Sequence, residues 1–178
     1  MCGRARSFHP VTPSPCHLII SMPKIIVRTR VNAPLEAVFD AARDIGLHCE
    51  TARYTRERAV AGVTSGLIGL GQTVTFEAVH LGVRQRLTSR IVAFDAPHRF
   101  VDEMTRGAFQ SLRHVHEFVA NGAGATLMID TLTWVSPLGV LGIVADHLVL
   151  KRHLKRFLRR RNRCFKCIVE ARRNRKPS

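Results

Sequence analysis

The sequence predicts an α+β protein in which a curved antiparallel sheet of about six to seven strands wraps around one long C-terminal helix. Two observations predict this. Strand-like runs follow one another from residue 72 to residue 135 with only short turns between them, which requires antiparallel neighbours. A helical apolar pattern then runs from about residue 140 to residue 173. One helix cannot fill the concave face of so large a sheet, so we expect an apolar cavity between them.

The first elements predicted are one strand and two short helices. Lys24–Val31 is rich in β-branched residues, which favours a strand. Asn32 and Pro34 are residue types typical of a helix start. A second short helix is predicted within residues 43–51. The first helix is expected to bury one face, formed by Leu35, Val38, Phe39 and Ala42.

The glycine-rich stretch GLIGLGQTVTF, at residues 66–76, raises the question of a phosphate-binding loop. Its glycines have the wrong order for a dinucleotide fingerprint, and a strand follows them where that motif needs a helix. No Lys-Ser/Thr pair follows, so it is not a P-loop either. The stretch is better interpreted as a turn that begins the strand Gln72–His80. Near a cavity mouth, such a flexible turn could also gate ligand entry.

The strands of the predicted meander assign their side chains to two faces. A short strand within residues 57–64 precedes the others, and side chains alternate between the faces along every strand. Glu77 and the arginines at positions 84, 86 and 90 then lie on the solvated face. The remaining predicted strands are Gln72–His80, Arg84–Phe94, Arg99–Thr105, Phe109–Val119 and Ala125–Val135.

The opposite face is predicted to line the cavity and to contact a ligand. The helix is expected to add Leu148 to this wall. The strand residues predicted as ligand contacts are Val74, Phe76, Leu87, Phe100, Met104, Leu112, His114, His116, Leu132 and Trp134.

Four polar side chains share this predicted apolar face. His114, His116, Asp102 and Asp130 are therefore weak candidates for general acid–base catalysis. The alternative, which we favour, is that they bind one another or lie at the rim, because histidine–carboxylate pairs also arise structurally. Two histidines at alternate strand positions could chelate a metal, but no convincing third ligand is evident. We therefore predict no metal and no cofactor.

The charge of the chain is concentrated at one end. Residues 151–178 carry 13 Lys/Arg against the single acid Glu170, out of a net charge of +15 for the whole chain. A basic amphipathic helix could simply be solvated, or it could rest on an anionic membrane surface through Lys151–Lys176. Nucleic acid is an unlikely partner because the body is nearly neutral, with one Trp, one Tyr and no recognition motif.

The sequence also suggests domain limits and a location. Residues 1–21 are expected to be a disordered extension, residues 22–173 the ligand-binding domain, and residues 174–178 a tail. Five cysteines in no disulfide-like spacing favour a reducing cytosol, and Cys164-x-x-Cys167 lacks the second pair of a structural zinc site. No apolar run is long enough to span a membrane. We expect a cytoplasmic protein, with peripheral membrane association as an alternative.

Several stretches, together with the order of elements, resemble the SRPBCC superfamily. This helix-grip group includes START lipid-transfer domains, polyketide cyclases and coenzyme Q-binding proteins, and the similarity is greatest to its bacterial single-domain cyclase/dehydrase-like members. The resemblance implies an enclosed hydrophobic pocket but no single reaction. The stretches that carry it are VNAPLEAVFDAARD (31–44), the run from residue 57 to residue 103, GAFQSLRHVHEF (107–118) and TLTWVSPLGVLGIVAD (131–146).

Three functions follow as hypotheses. The first is a carrier or binding protein for a hydrophobic small molecule such as a lipid, quinone, isoprenoid or polyketide. The second is a polyketide cyclase or dehydratase in which His114 or His116 acts as the base. The third is a membrane-surface interaction protein that acts through its basic helix.

Overall fold

The computed structural model describes residues 22–136 and 149–174. The extension predicted for residues 1–21 and most of the predicted tail lie outside these ranges. The helices are α1 (Leu35–Ala42), α2 (Ile45–Thr51) and α3 (Lys151–Asn174), with a short 3-10 turn at Arg53–Thr55. The strands are β1 (Lys24–Val31), β2 (Arg58–Gly62), β3 (Thr73–His80), β4 (Val83–Asp95), β5 (Arg99–Arg106), β6 (Ser111–Ala120) and β7 (Thr126–Val135).

The strands of the described ranges form one sheet with the spatial order β1-β7-β6-β5-β4-β3-β2. Every neighbouring pair is antiparallel, and β1 closes the meander by pairing with β7. Helix α3 packs against this sheet. The predicted fold class, an antiparallel sheet around a long C-terminal helix, is confirmed. No helix within the described ranges is both long and apolar enough to cross a membrane.

The start of helix α1 differs from the prediction. Pro34 is its N-cap residue and makes no side-chain cap, so the expected cap at Asn32 is wrong. The backbone of Asn32 is instead held by helix α3. Its N–H donates to Glu170 Oε1 at 2.7 Å, and its carbonyl accepts from Arg173 at 2.7 Å. Asn32 therefore fastens the end of β1 to the C-terminal part of α3.

The glycine-rich stretch lies against the junction of α1 and α2 and leads into β3. Ile45 N–H donates to the Gly66 carbonyl at 2.9 Å, and Ile68 N–H donates to the Arg43 carbonyl at 3.0 Å. Gly66 and Gly71 both have positive φ angles, which favour glycine. These contacts bury the side chain of Ile68. The turn therefore contributes a wall residue to the cavity, while its gating role stays a prediction.

Two apolar clusters hold α3 and the short helices against the sheet. In the first, the Phe39 ring of α1 meets the rings of Phe94, Phe100 and Phe118 edge-on at 5.4 to 5.7 Å. In the second, Leu158 of α3 packs with Trp134 and its neighbours on the sheet. The clusters fill part of the concave face, and a cavity occupies another part.

Candidate functional site

A cavity of about 460 Å³ lies between α3 and the concave face of the sheet. Strands β3 to β7 form its floor, and the first half of α3 together with α2 forms the other wall. Most of the side chains on its surface are apolar, including Phe76, Leu132 and Phe157. This volume falls within the range of small-molecule sites in proteins.

The alternation of side chains along the predicted strands correctly identified most of the strand residues that line this cavity. The structure does not place Met104 or Trp134 on it, and Leu148 lies outside the described residues. The predicted ligand contacts that do line the cavity are Val74, Phe76, Leu87, Phe100, Leu112, His114, His116 and Leu132.

Met104 and Trp134 lie on the concave face of the sheet, but they pack in an apolar cluster beside the cavity and do not line it. Trp134 is only 1% exposed, because Ile25 and Leu158 pack with it in an apolar cluster. Met104 packs against the same cluster and lies directly over Gly107. Their predicted place on the cavity wall is therefore corrected, because alternation identifies the face of a residue but not what covers it. Their contact with a ligand stays a prediction.

The four polar candidates come together as a histidine–aspartate cluster, formed by Asp102, His114, His116 and Asp130. The strand register causes this, because Asp102 lies opposite His114 and Asp130 lies opposite His116. His116 Nε2 is hydrogen-bonded to Asp102 Oδ2 at 3.2 Å. Asp130 Oδ1 lies 2.8 Å from His116 Nδ1 and 3.1 Å from His114 Nε2, as charge contacts without hydrogen-bond alignment.

Asp130 lies behind the histidines and does not reach the cavity wall. Its residue is 0% exposed, and its second oxygen accepts a hydrogen bond from Asn162 Nδ2 of α3 at 2.7 Å. The prediction that Asp130 itself is a polar point in the pocket is therefore corrected. Asp102, His114 and His116 do line the cavity.

The cluster shifts the pKa values of the two histidines in opposite directions. Burial lowers the pKa of His116, but the hydrogen bond to Asp102 and the charge of Asp130 outweigh burial and raise this pKa above its ordinary value. Burial and the neighbouring His116 lower the pKa of His114. Burial alone would raise the pKa of Asp130, yet the two histidines hold it well below its ordinary value. The arrangement favours an imidazolium at His116 beside a neutral imidazole at His114.

The structure also supplies the third metal-ligand candidate that the sequence did not reveal. One potential ligand atom from each of Asp102, His114 and His116 lies within 4.8 Å of the others. A metal would need His116 as a neutral imidazole, whereas a carboxylate oxygen lies beside each of its ring nitrogens and favours the proton. A cation would therefore compete with the proton on His116.

A second polar group lies on the wall formed by the helices. His48 Nε2 contacts Glu57 Oε1 at 2.5 Å, and the His48 ring stacks on Phe76 at 4.3 Å. His80 Nδ1 lies 3.2 Å from His153 Nε2 of α3. No spacing in the sequence relates the members of this group, because they come from α2, a loop, β3 and α3.

The basic residues of α3 divide between two environments. The charged side chains of Arg152, Lys155, Arg156 and Arg159 are exposed, whereas Arg161 is only 6% exposed and lines the cavity. These exposed residues belong to the stretch Lys151–Lys176 for which membrane contact was predicted, and that contact stays a prediction. Arg161 was not distinguished from its neighbours in the sequence.

Comparison with known proteins identifies the fold. No protein-family model matches the chain, and no curated protein sequence matches it. Among solved structures, the ZhuI aromatase/cyclase from Streptomyces sp. R1128 is 15% identical, with a TM-score of 0.69 over 85% of this chain and 95% of that chain.

Two further structures give the same result. The protein TTHA0849 from Thermus thermophilus is 18% identical, with a TM-score of 0.64 over 82% of this chain and 99% of that chain. A START superfamily protein from Mycobacterium smegmatis is 14% identical, with a TM-score of 0.64 over 83% of this chain and 97% of that chain. The chain therefore has the helix-grip fold of START-type and aromatase/cyclase proteins.

Proposed function

We propose that the protein binds a hydrophobic small molecule in the cavity and acts as a carrier or binding protein. The observation that carries this proposal is a mostly apolar space of about 460 Å³ between α3 and the sheet. Each square ångström of apolar ligand surface removed from water contributes about 25 cal/mol, so a ligand of matching shape is stabilised by burial alone. Lipids, quinones, isoprenoids and polyketides all have apolar bodies of this kind.

Filling the cavity tests this proposal. Ala78 lies on the β3 part of the wall and is 6% exposed, so Ala78→Trp places an indole in the space. We expect the affinity for a neutral fluorescent apolar probe, N-phenylnaphthylamine, to fall by about tenfold or more, since about 1.4 kcal/mol of lost contact gives that factor. Fluorescence titration measures the affinity.

The matched control is Val92→Trp, which adds an indole on the outer face, where Val92 is 42% exposed. It should bind the probe as the wild type does. If wild-type protein binds no apolar probe, or if both tryptophan variants bind it equally well, the cavity is not the binding site.

A second candidate function is acid–base catalysis on a bound carbonyl compound. The specific observation is that His116, held between two carboxylates, and the neutral His114 face the same apolar cavity, with ring centroids 3.8 Å apart. One solved neighbour is an aromatase/cyclase. Ring closure through an enol begins with loss of a proton next to a carbonyl group.

The two histidines have complementary roles in this candidate. His114 accepts the proton as the C–H bond breaks, and the electron pair of that bond moves toward the carbonyl oxygen. His116 donates its proton to this oxygen, which gives the enol. The enol carbon then attacks a second carbonyl carbon of the same compound, and the new C–C bond forms as the π bond of that carbonyl breaks. The oxygen of that carbonyl takes the proton from His114, and the enol O–H proton returns to His116, so both histidines are restored. Asp102 and Asp130 position His116 and stabilise its charge.

Enolisation of benzoylacetone, an aryl 1,3-diketone, tests this candidate without knowledge of the natural substrate. Wild-type protein should accelerate deuterium exchange at the acidic methylene, measured by NMR. His114→Gln and His116→Gln should each reduce the acceleration by about 10²-fold or more, which is typical of losing a general acid or base. His98→Gln, at an exposed position, is the control. Exchange that proceeds equally in all four proteins would exclude this role.

The same two histidines should affect stability with opposite pH dependence. The pKa of His116 is raised on folding, so its contribution is present below about pH 6.5 and is lost as pH rises through the folded-state pKa. The pKa of His114 is lowered on folding, so keeping it neutral costs stability as pH falls below about 6.5. Urea unfolding from about pH 5 to about pH 9 measures both effects.

Relative to wild type, His116→Gln should therefore be most destabilising at the acidic end and less so at the alkaline end. His114→Gln should show the reverse trend, becoming less harmful as pH falls. Parallel stability curves for both variants would contradict the separated protonation states.

A further inference from the structure

Arg161 is a buried cation that lacks a full set of partners. It lies in the middle of α3, is 6% exposed and lines the cavity. Its Nε atom is buried and has no hydrogen-bond partner among the described residues. An unpaired guanidinium nitrogen away from water is costly, so a group that supplies the missing acceptor would be stabilised there.

The fold fixes Arg161 in this place. The next residue, Asn162, donates hydrogen bonds to Asp130 Oδ2 at 2.7 Å and to Thr29 Oγ1 at 3.3 Å. Leu158 and Phe165, on the same side of the helix, are buried in the two apolar clusters. These contacts set the rotation of α3, so Arg161 faces the cavity although its neighbours Arg159 and Arg160 are exposed.

The nearby carboxylate of Glu57 does not pair with the guanidinium of Arg161. Glu57 lines the same wall, but its Oε1 is engaged by His48 Nε2 at 2.5 Å. Burial alone would raise the pKa of Glu57, but His48 and the positive charge of Arg161 lower it below its ordinary value. Arg161 and Glu57 do not form an ion pair, because among the described residues no nitrogen of Arg161 lies within 4.0 Å of a carboxylate oxygen of Glu57. Arg161 therefore keeps N–H donors for a further acceptor.

The surroundings of Arg161 define the rest of the ligand. Leu154, Phe157 and Leu158 of α3 lie beside it, and Phe76 and Leu132 line the sheet side of the same cavity. A guanidinium offers a planar fork of donors that matches the two oxygens of a carboxylate. A neutral hydroxyl would supply one acceptor and no charge.

We propose that the cavity selects an amphipathic acid, with one carboxylate held by Arg161 and an apolar body held between α3 and the sheet. This inference rests on the proposed binding function and narrows its ligand class. The cavity would then bind apolar carboxylic acids in preference to neutral lipids, quinones and isoprenoids of similar size.

A matched ligand pair tests the inference. Dodecanoic acid and dodecan-1-ol have equal chains and differ in the head group, and each can displace N-phenylnaphthylamine from the protein at about pH 8, where the acid is ionised. Wild-type protein should bind the acid at least about tenfold more tightly than the alcohol, as charge-assisted hydrogen bonds imply. Arg161→Gln should abolish this preference and leave the alcohol affinity within about threefold of wild type.

Two further variants complete the design. Arg160→Gln removes an exposed neighbouring charge, which lies 4.0 Å over the Tyr54 ring, and should keep the acid preference. Arg161→Lys keeps the charge but loses the fork, so it should retain a reduced preference. Thermal unfolding of each variant confirms that it is folded before binding is compared.

The outcomes separate the two proposals. Equal binding of acid and alcohol by the wild type overturns the acid-selective inference and leaves the proposed binding function intact. Binding of neither ligand, together with no binding of the probe, overturns both. A retained acid preference in folded Arg161→Gln shows that Arg161 does not hold the carboxylate. The comparison in the wild type does not depend on any variant folding.

Discussion

The buried carboxylate of Asp130 determines how α3 is attached to the sheet. It lies on β7 at 0% exposure, where an unpaired charge would be strongly destabilising. Asn162 of α3 donates to one of its oxygens, and the imidazoles of His114 and His116 lie against the other. Compensating this charge therefore fastens the middle of the long helix to the centre of the sheet and gathers the two histidines beside it.

The cavity follows from where the helix is fastened. Its C-terminal part is tied to the end of β1 through Asn32, and Phe165 and Val169 are buried against the sheet. Its N-terminal half carries Leu154 and Phe157 over the concave face of the sheet and, together with α2, encloses the open space there. The same attachment turns Arg161 inward. The contacts that attach α3 to the sheet thus also orient the cavity-lining residue Arg161.

Local patterns predicted the element order, the strand faces and most of the cavity wall, because each rests on a short periodicity. They could not predict which side chains are covered by others, so Trp134 was wrongly placed on the cavity wall although apolar packing covers it. They also missed His48 and Glu57, whose pairing joins elements with no common period. In the sequence, nothing distinguishes Arg161 from the solvated basic residues around it. Its burial depends on the rotation of α3, which the contact between Asn162 and Asp130 sets.

A crystal structure of the protein grown with an apolar ligand would show whether the space between α3 and the sheet is the binding site. We expect ligand density between α3 and the sheet, in contact with Leu132 on one side and Phe157 on the other, with the positions of Asp130 and Asn162 unchanged. Density only on the outer face of the sheet, or a cavity closed by side chains in the presence of bound ligand, would contradict it.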